Sequence, residues 1–163
     1  QEVARTLEAA HTAGKIGAIG VSNFTPAQIE ALAHYLTIPL ASNQPEFSPL
    51  FLGPLVDGQF DLAMRMGMAT LAWSPLGGGR IAAPTNAREE AVAAALDRVA
   101  AAQGVSRTTA AFAWVMAHPA RPIPIIGSQN ADRIREAATA TQVRWTRTQW
   151  YDVLVAARGE ALP

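Results

Sequence analysis

The sequence predicts an α/β fold built on one parallel β-sheet, and two observations support this prediction. Hydrophobic residues occupy 50% of the 163 positions and charged residues 16%, which provides enough apolar material for a buried core. Four short apolar segments alternate with segments of helical pattern, as expected for parallel strands joined by right-handed crossovers. The sheet is either open and doubly wound or part of a closed barrel, and residues 1–163 form a single domain.

Capping residues predict where the elements begin and end. Gly14 follows the first helix at the position of a left-handed cap, and Thr25 to Gln28 form a capping box with proline at the first helical position. Thr146 to Gln149 form a second capping box. The predicted helices cover residues 2–13, 26–36, most of 50–66, 87–103, 107–118, 131–140 and 147–158, and the predicted strands cover 16–21, 39–43, 68–72 and 123–126.

Composition excludes several classes of function. Thirteen basic and thirteen acidic residues give a net charge of zero, so we expect neither nucleic acid nor an anionic membrane as a partner. The chain has no cysteine, which excludes disulfides, thiolate zinc sites and a cysteine nucleophile, and we expect no metal site. With no long apolar run and no leader pattern, we expect a cytoplasmic protein. Because Gln1 opens what resembles a helix already in progress, we expect a preceding segment.

Small hydrogen-bonding residues follow each predicted strand, at the sheet edge where parallel α/β folds bind ligands. Ser22 and Asn23 follow the first strand, and Asn43 and Gln44 end the second. In the third loop, Trp73 precedes Ser74 and offers an aromatic face for stacking. Any one of these serines and asparagines is also a common turn or cap residue, and a tryptophan at this position equally suits the core.

Two further segments are suited to phosphate groups. The backbone of Leu76-Gly77, in a run of three glycines, allows a ligand to approach without interference from Cβ atoms. The segment Gly127-Ser128-Gln129-Asn130 leads into a helix that carries Arg133, so that amides, a hydroxyl and a guanidinium surround one helix start. A solvent-exposed helix face is the other interpretation of Arg133. Neither segment matches a Walker loop or the Rossmann fingerprint.

Four separated motifs carry a resemblance to a known family. GKIGAIGVSNF at 14–24, NQPEFSPL at 43–50, AWSPLGGGRI at 72–81 and PIPIIGSQNADRIREA at 122–137 resemble, in order and spacing, the second half of an aldo/keto reductase. The resemblance implies a (β/α)8 TIM barrel of which this chain supplies roughly strands five to eight and their helices. A different α/β barrel enzyme that binds a sugar phosphate is a weaker alternative.

The resemblance also implies a cofactor, NADP(H), and a role for each matched residue. Ser22, Asn23 and Gln44 are expected to hold the nicotinamide carboxamide. Trp73, followed by Ser74, is expected to stack on the nicotinamide ring.

The remaining matched positions are expected to hold the other end of the cofactor. The Leu76-Gly77 backbone faces the pyrophosphate, Ser128 and Arg133 bind the 2′-phosphate next to Gly127 and Asn130, and Glu136 lies near the adenine. Many relatives carry lysine at the position of Gly127 and asparagine at that of Ala137, which this chain lacks.

The family's catalytic tyrosine, lysine, aspartate and histidine belong to its first half, so we expect no catalytic residue in this chain. Lys15 lies at the entry end of the first strand, about 20 Å from its exit end by strand rise. The remaining candidates lie on helices or at helix ends and are assigned structural or surface roles: Tyr35, Tyr151, His11, His34 and His118.

The expected function is therefore NADP-dependent reduction of an aldehyde or ketone to an alcohol by hydride transfer. It requires a small carbonyl substrate and, as a partner, the N-terminal half of the barrel. The alternative is a non-catalytic dinucleotide-binding or assembly module derived from a reductase.

Overall fold

The computed structural model describes residues 1–161 and contains one sheet of four parallel strands. In chain order they are β1 (Ile19–Ser22), β2 (Leu40–Gln44), β3 (Ala69–Ala72) and β4 (Ile123–Pro124). Their order across the sheet is β1-β2-β3-β4, and each neighbouring pair is parallel. The predicted parallel α/β arrangement is thus confirmed.

Helices connect the strands and extend the chain at both ends. They are α1 (Glu2–Thr12), α2 (Pro26–Ala33), α3 (Gly53–Val56), α4 (Gln59–Met66), α5 (Ala87–Gln103), α6 (Arg107–Met116), α7 (Ala131–Ala138) and α8 (Arg147–Arg158). Short 3₁₀ helices cover Gly77–Gly79 and Thr139–Gln142. Within residues 1–161, no helix has the length and apolar character that a membrane crossing requires.

The predicted caps form as expected. Gly14 adopts a φ of 68°, and its N–H donates to the carbonyl of His11 at 2.9 Å, which closes α1 in a Schellman arrangement. Thr25 and Thr146 begin α2 and α8 with complete capping boxes. These boundaries are local in origin, so the sequence alone determines them.

Several predicted bounds differ from the structure by one to three residues, as in α2, which ends at Ala33 rather than residue 36. The segment 50–66 divides into α3 and α4 because Gly58 takes a left-handed φ of 83° between them. β1 begins at Ile19 rather than residue 16, since Ile19 pairs with Leu40, the first residue of β2, and earlier residues lack a strand partner there. β4 ends at Pro124, although the next N–H, that of Ile125, still donates to Ala72 O at 2.9 Å.

The two faces of the sheet differ in what covers them. Along β3, Thr70 and Ala72 are buried under helices, whereas Ala69 is exposed on the opposite face. Gly20 of β1 and Ile123 of β4 are exposed as well. A doubly wound sheet carries helices on both faces, so this arrangement favours a segment of a barrel whose inner face and outer strand edges are open.

A stack of aromatic rings links the core to the carboxyl ends of the strands. Trp114 and Trp150 stack at 4.7 Å, and each indole N–H donates to the other's carbonyl oxygen at 3.0 Å. Phe47 stacks on Trp114, and its own N–H donates to the Trp73 carbonyl at 3.3 Å. The core therefore fixes the backbone of a residue at the candidate site.

The buried carboxylate of Glu89 anchors the long loop after β3. Glu89 is 3% exposed and accepts hydrogen bonds from the Thr85 N–H at 2.8 Å, the Thr85 hydroxyl at 2.9 Å and the Arg80 guanidinium at 3.2 Å. Arg80 also donates to the carbonyl of Gly77 at 2.8 Å. These hydrogen bonds, that of the Thr85 backbone first, lower the pKa of Glu89 below its ordinary value.

Glu89 is expected to make the fold acid-sensitive. The pKa of Glu89 is lower in the folded than in the unfolded chain, so its ionised carboxylate stabilises the fold. This stabilisation is complete above the unfolded pKa of about 4.5 and is lost as the pH falls through the lower folded pKa. Glu89→Gln should therefore reduce the free energy of unfolding near neutral pH and flatten its fall below about pH 5. Urea titrations at several pH values measure this, with exposed Glu90→Gln as the control. Parallel pH profiles for wild type and Glu89→Gln would contradict the assignment.

Candidate functional site

Four predicted residues form one hydrogen-bonded network where β1, β2 and β3 end. Ser22 lies opposite Gln44 in the ladder, and the Gln44 carbonyl accepts from the Ser22 hydroxyl at 3.0 Å and from the Asn23 N–H at 3.1 Å. The Trp73 indole Nε1 donates to the Asn23 Oδ1 at 2.8 Å. The structure thus brings Ser22, Asn23, Gln44 and Trp73 together.

This network determines which groups remain for a ligand. An indole N–H can only donate, so the Asn23 oxygen must face Trp73, and the Asn23 Nδ2 is left to donate elsewhere. The side-chain amide of Gln44 makes no hydrogen bond to any group in residues 1–161 and can both donate and accept. A ligand carboxamide, which needs both an acceptor and a donor, fits this set.

Two residues of the network's loops have left-handed backbone conformations. Asn23 has a φ of 55°, and Ser74 has a φ of 48°. Asparagine adopts this region more readily than most residues, whereas for serine it is unfavourable. Such strain is held in place by surrounding structure, and it concentrates at functional loops.

Asn43 faces the opposite side of the sheet from Gln44 and does not join this network. Its Nδ2 donates to the carbonyl of Phe24 at 3.2 Å and to the Oε1 of Gln59 at 3.0 Å, and the residue is 3% exposed. Asn43, considered beside Gln44 as a residue at the end of the second strand, points away from the network because successive strand residues point to opposite faces. Asn43 instead holds the loop after β1 against the start of α4.

A groove of about 800 Å³ begins at Trp73 and lies between the ends of β3 and β4 and the helices α6 and α7. Its size is that of a small-molecule site. Seven of the predicted residues line it, namely Trp73, Ser74, Leu76, Gly127, Ser128, Arg133 and Glu136.

The glycine turn has one buried glycine and two that face the groove. Gly77 is buried with a φ of 59°, and a Cβ there would lie 2.8 Å from the Leu50 Cδ1. Gly78 and Gly79 line the groove, and a Cβ on either would meet nothing within 4 Å. The turn therefore presents bare backbone to a ligand through Gly78 and Gly79, with Gly77 as its packed base.

At the start of α7, Asn130 acts as a helix cap. Its Oδ1 accepts from the N–H groups of Asp132 at 2.9 Å and Arg133 at 3.2 Å, which satisfies two donors that a phosphate would otherwise meet. The Ser128 Oγ accepts from the Asn130 N–H at 3.1 Å, and its own hydrogen remains available.

Arg133 carries the positive charge at this end of the groove. Its guanidinium forms no hydrogen bond or ion pair with residues 1–161, whereas Arg135 is paired with Asp132 at 2.6 Å. The exposed Glu136, one turn further along α7, lines the same groove. The groove thus ends in a hydroxyl and a free guanidinium, groups that bind phosphate.

Sequence reasoning missed several groove residues, two of which come from α6, and the residues rejected as catalytic candidates lie away from the groove. Thr108 and Phe112 of α6 line the groove, and no local pattern signals this because it depends on how α6 packs beside β4. Lys15 is exposed and precedes β1, so it lies at the amino end of the sheet, opposite the candidate site. Tyr151 packs edge to face on Trp150 within the helical layer.

Comparisons with known proteins agree with this geometry. The model of the aldo/keto reductase family matches residues 1–154. The chain is 60% identical over 162 residues to a 6-dehydroglucose reductase of Novosphingobium aromaticivorans and 35% identical over 160 residues to one of Agrobacterium fabrum. The two matches include 99% and 98% of this chain but only 53% of each relative. The chain therefore spans about half the length of these relatives.

A solved structure shows the fold. A thermostable aldo-keto reductase crystallised with the inhibitor epalrestat superposes with a TM-score of 0.82 at 21% identity, over 94% of this chain and 53% of its own. The family model matches almost the whole chain, and the parallel sheet with its one-sided helical layer agrees with it. The chain therefore belongs to the aldo/keto reductase family.

Proposed function

We propose that this chain is the cofactor-binding half of an NADP(H)-dependent reductase that converts an aldehyde or ketone to an alcohol. It supplies strands five to eight of the barrel, and the N-terminal half supplies the acid that protonates the carbonyl oxygen. One observation carries the proposal: the Asn23-Gln44-Trp73 network and the groove that ends at Arg133 share Trp73. Both lie at the carboxyl ends of consecutive parallel strands.

Each end of this site has a defined chemical task. When bound, the reduced nicotinamide supplies a hydride to the carbonyl carbon. Asn23 and Gln44 hold the carboxamide and thereby orient the ring, while Trp73 offers its indole face. Ser128 and Arg133 bind the 2′-phosphate, which distinguishes NADP(H) from NAD(H).

For the substrate, we propose 6-dehydroglucose. Two relatives, at 60% and 35% identity, carry the name 6-dehydroglucose reductase, and both align along almost the whole of this chain. Reduction of the C6 aldehyde of this sugar gives the primary alcohol of glucose, a two-electron step that consumes one NADPH and one proton.

A chimera tests the proposal directly. The N-terminal half of the Novosphingobium 6-dehydroglucose reductase is joined to this chain and mixed with NADPH and 6-dehydroglucose. Loss of the reduced-nicotinamide absorbance is expected for the chimera and not for the chain alone. The matched control is the same chimera with Asn23→Ala and Gln44→Ala, in which the N-terminal half is unchanged. Turnover by the isolated chain, or an unaffected double variant, would contradict the proposed division of roles.

Trp73→Phe is expected to weaken NADPH binding about three- to tenfold, because it keeps an aromatic face but removes the N–H that fixes Asn23. The freed Asn23 amide can rotate, so its donor is no longer held toward the carboxamide. Quenching of protein fluorescence by NADPH measures the dissociation constant. Asn23→Ala in the Trp73→Phe background should add little further loss, since the two groups act as one unit. Fully additive losses would show that Trp73 acts independently of Asn23.

A further inference from the structure

A second cavity, of about 930 Å³, lies within the helical layer on the outside of the sheet. It is bounded by α3, the end of α6 and the whole length of α8. Leu52, Leu55, Trp150 and Tyr151 give it apolar and aromatic walls, and its volume is in the range of small-molecule pockets.

One wall of this cavity carries an indole whose N–H has no acceptor. Trp73 donates to Asn23, and Trp114 and Trp150 donate to each other's carbonyls. The Trp145 Nε1, in contrast, is buried and finds no partner within residues 1–161. A buried indole N–H without an acceptor is unfavourable by about 1–3 kcal/mol, but this nitrogen has no surface open to the cavity, so Trp145 contributes an apolar wall rather than a donor.

A second wall residue presents a hydrogen-bond donor. The His118 Nδ1 accepts from the N–H of Ala120 at 3.1 Å, so the proton of the neutral ring is on Nε2. Burial lowers the pKa of His118, although the nearby Asp61 carboxylate opposes this, and the neutral form is favoured. The His118 Nε2 makes no hydrogen bond to any group in the described part of the chain.

The two charged side chains that line the cavity are both arginines. Arg147 lies 5.6 Å above the Tyr151 ring, and Arg158, which also pairs with the exposed Glu160 at 2.7 Å, completes the rim. Among residues 1–161, no aspartate or glutamate lines the cavity. The polar groups named here are therefore donors or cations set against aromatic surface, which is complementary to an anion with an apolar body.

We infer that this cavity is a ligand site for a small aromatic carboxylate. The carboxylate accepts from the guanidinium of Arg147 or Arg158 and from the His118 ring N–H, while the ring of the ligand packs against Trp150. The cavity lies between α3, in the crossover from β2 to β3, and the end of α6, in the crossover from β3 to β4, and α8 forms its third side.

The test uses 2-naphthoate as the probe and 2-naphthalenemethanol as its neutral analogue, each titrated into the full chain by calorimetry. Saturable one-to-one binding of 2-naphthoate is expected, with the neutral analogue weaker by about tenfold or more. In ¹H–¹⁵N spectra, the indole resonance of Trp145, identified by its absence in Trp145→Phe, should shift while that of Trp73 stays in place.

Variants separate this cavity from the nucleotide groove. Arg147→Gln combined with Arg158→Gln is expected to raise the dissociation constant of 2-naphthoate at least about tenfold, whereas the exposed Arg144→Gln, outside the cavity, should leave it unchanged. Ala117→Phe, which fills the cavity from the end of α6, should abolish binding without loss of helical signal. The inference is overturned by equal affinity for the neutral analogue, by a shift at Trp73 in place of Trp145, or by the absence of saturable binding.

Discussion

Replacing Arg133 with glutamine is expected to weaken NADPH binding about ten- to a hundredfold while changing NADH binding less than about twofold. The Arg133 guanidinium lines the groove and has no partner within residues 1–161, so it is free to form charge-assisted hydrogen bonds to a phosphate. Such bonds contribute about 1.5–3 kcal/mol each, which corresponds to the expected change in affinity. NADH lacks the 2′-phosphate and therefore loses nothing. Fluorescence titrations of both cofactors, at one fixed salt concentration, give the dissociation constants of NADPH and NADH and therefore their ratio.

Arg135→Gln is the matched control for this prediction. Arg135 lies on the same helix two residues away, but it is engaged by Asp132 at 2.6 Å, and both side chains are at least 75% exposed. We expect its replacement to change both affinities by less than about twofold, since an exposed ion pair of this kind contributes little to stability or binding. If the two variants behave alike, or if Arg133→Gln weakens NADH and NADPH equally, Arg133 does not bind the 2′-phosphate.

The contrast between these two arginines shows what the sequence can and cannot predict. Both lie on the polar helix α7, two residues apart, and the helical pattern alone favours neither as a phosphate ligand. Its place near the helix start made Arg133 a phosphate candidate, the family resemblance assigned it to the 2′-phosphate, and its freedom from Asp132 became visible only in the folded chain. The capping boxes at Thr25 and Thr146, in comparison, were predictable because both partners of each hydrogen bond lie within four residues.

Features that depend on packing between distant segments were not predictable. The split of the segment 50–66 needed the observation that Gly58 is left-handed, although a glycine inside a helical pattern is a warning of this. Thr108 lines the groove because α6 packs beside β4, and no local sequence pattern encodes this packing. The orientation of Asn43, in contrast, was predictable from the sequence. Asn43 adjoins Gln44 in a strand, so the two side chains must point to opposite faces.

Gly77→Ala is expected to lower the free energy of unfolding by about 2–4 kcal/mol, or the melting temperature by roughly 5–15 °C. Two effects combine at this position. A non-glycine residue at a φ of 59° carries a backbone penalty of about 1–2 kcal/mol. The new Cβ would also lie 2.8 Å from the Leu50 Cδ1 and 3.4 Å from its Cβ, and Leu50 is 5% exposed within the core cluster, so it cannot move aside freely.

Gly78→Ala separates these two effects because it carries only the first. Gly78 has a φ of 67°, but a Cβ there meets nothing within 4 Å, so we expect a loss of only about 1–2 kcal/mol. Thermal unfolding of both variants by circular dichroism gives the difference directly. A double-mutant cycle with Leu50→Ala then isolates the steric part: the loss from Gly77→Ala should shrink toward that of Gly78→Ala once the Leu50 side chain is removed. Equal losses for Gly77→Ala and Gly78→Ala in the parent chain would show that the turn is free to move off Leu50, and the groove would then lack the packed base on which Gly78 and Gly79 are held.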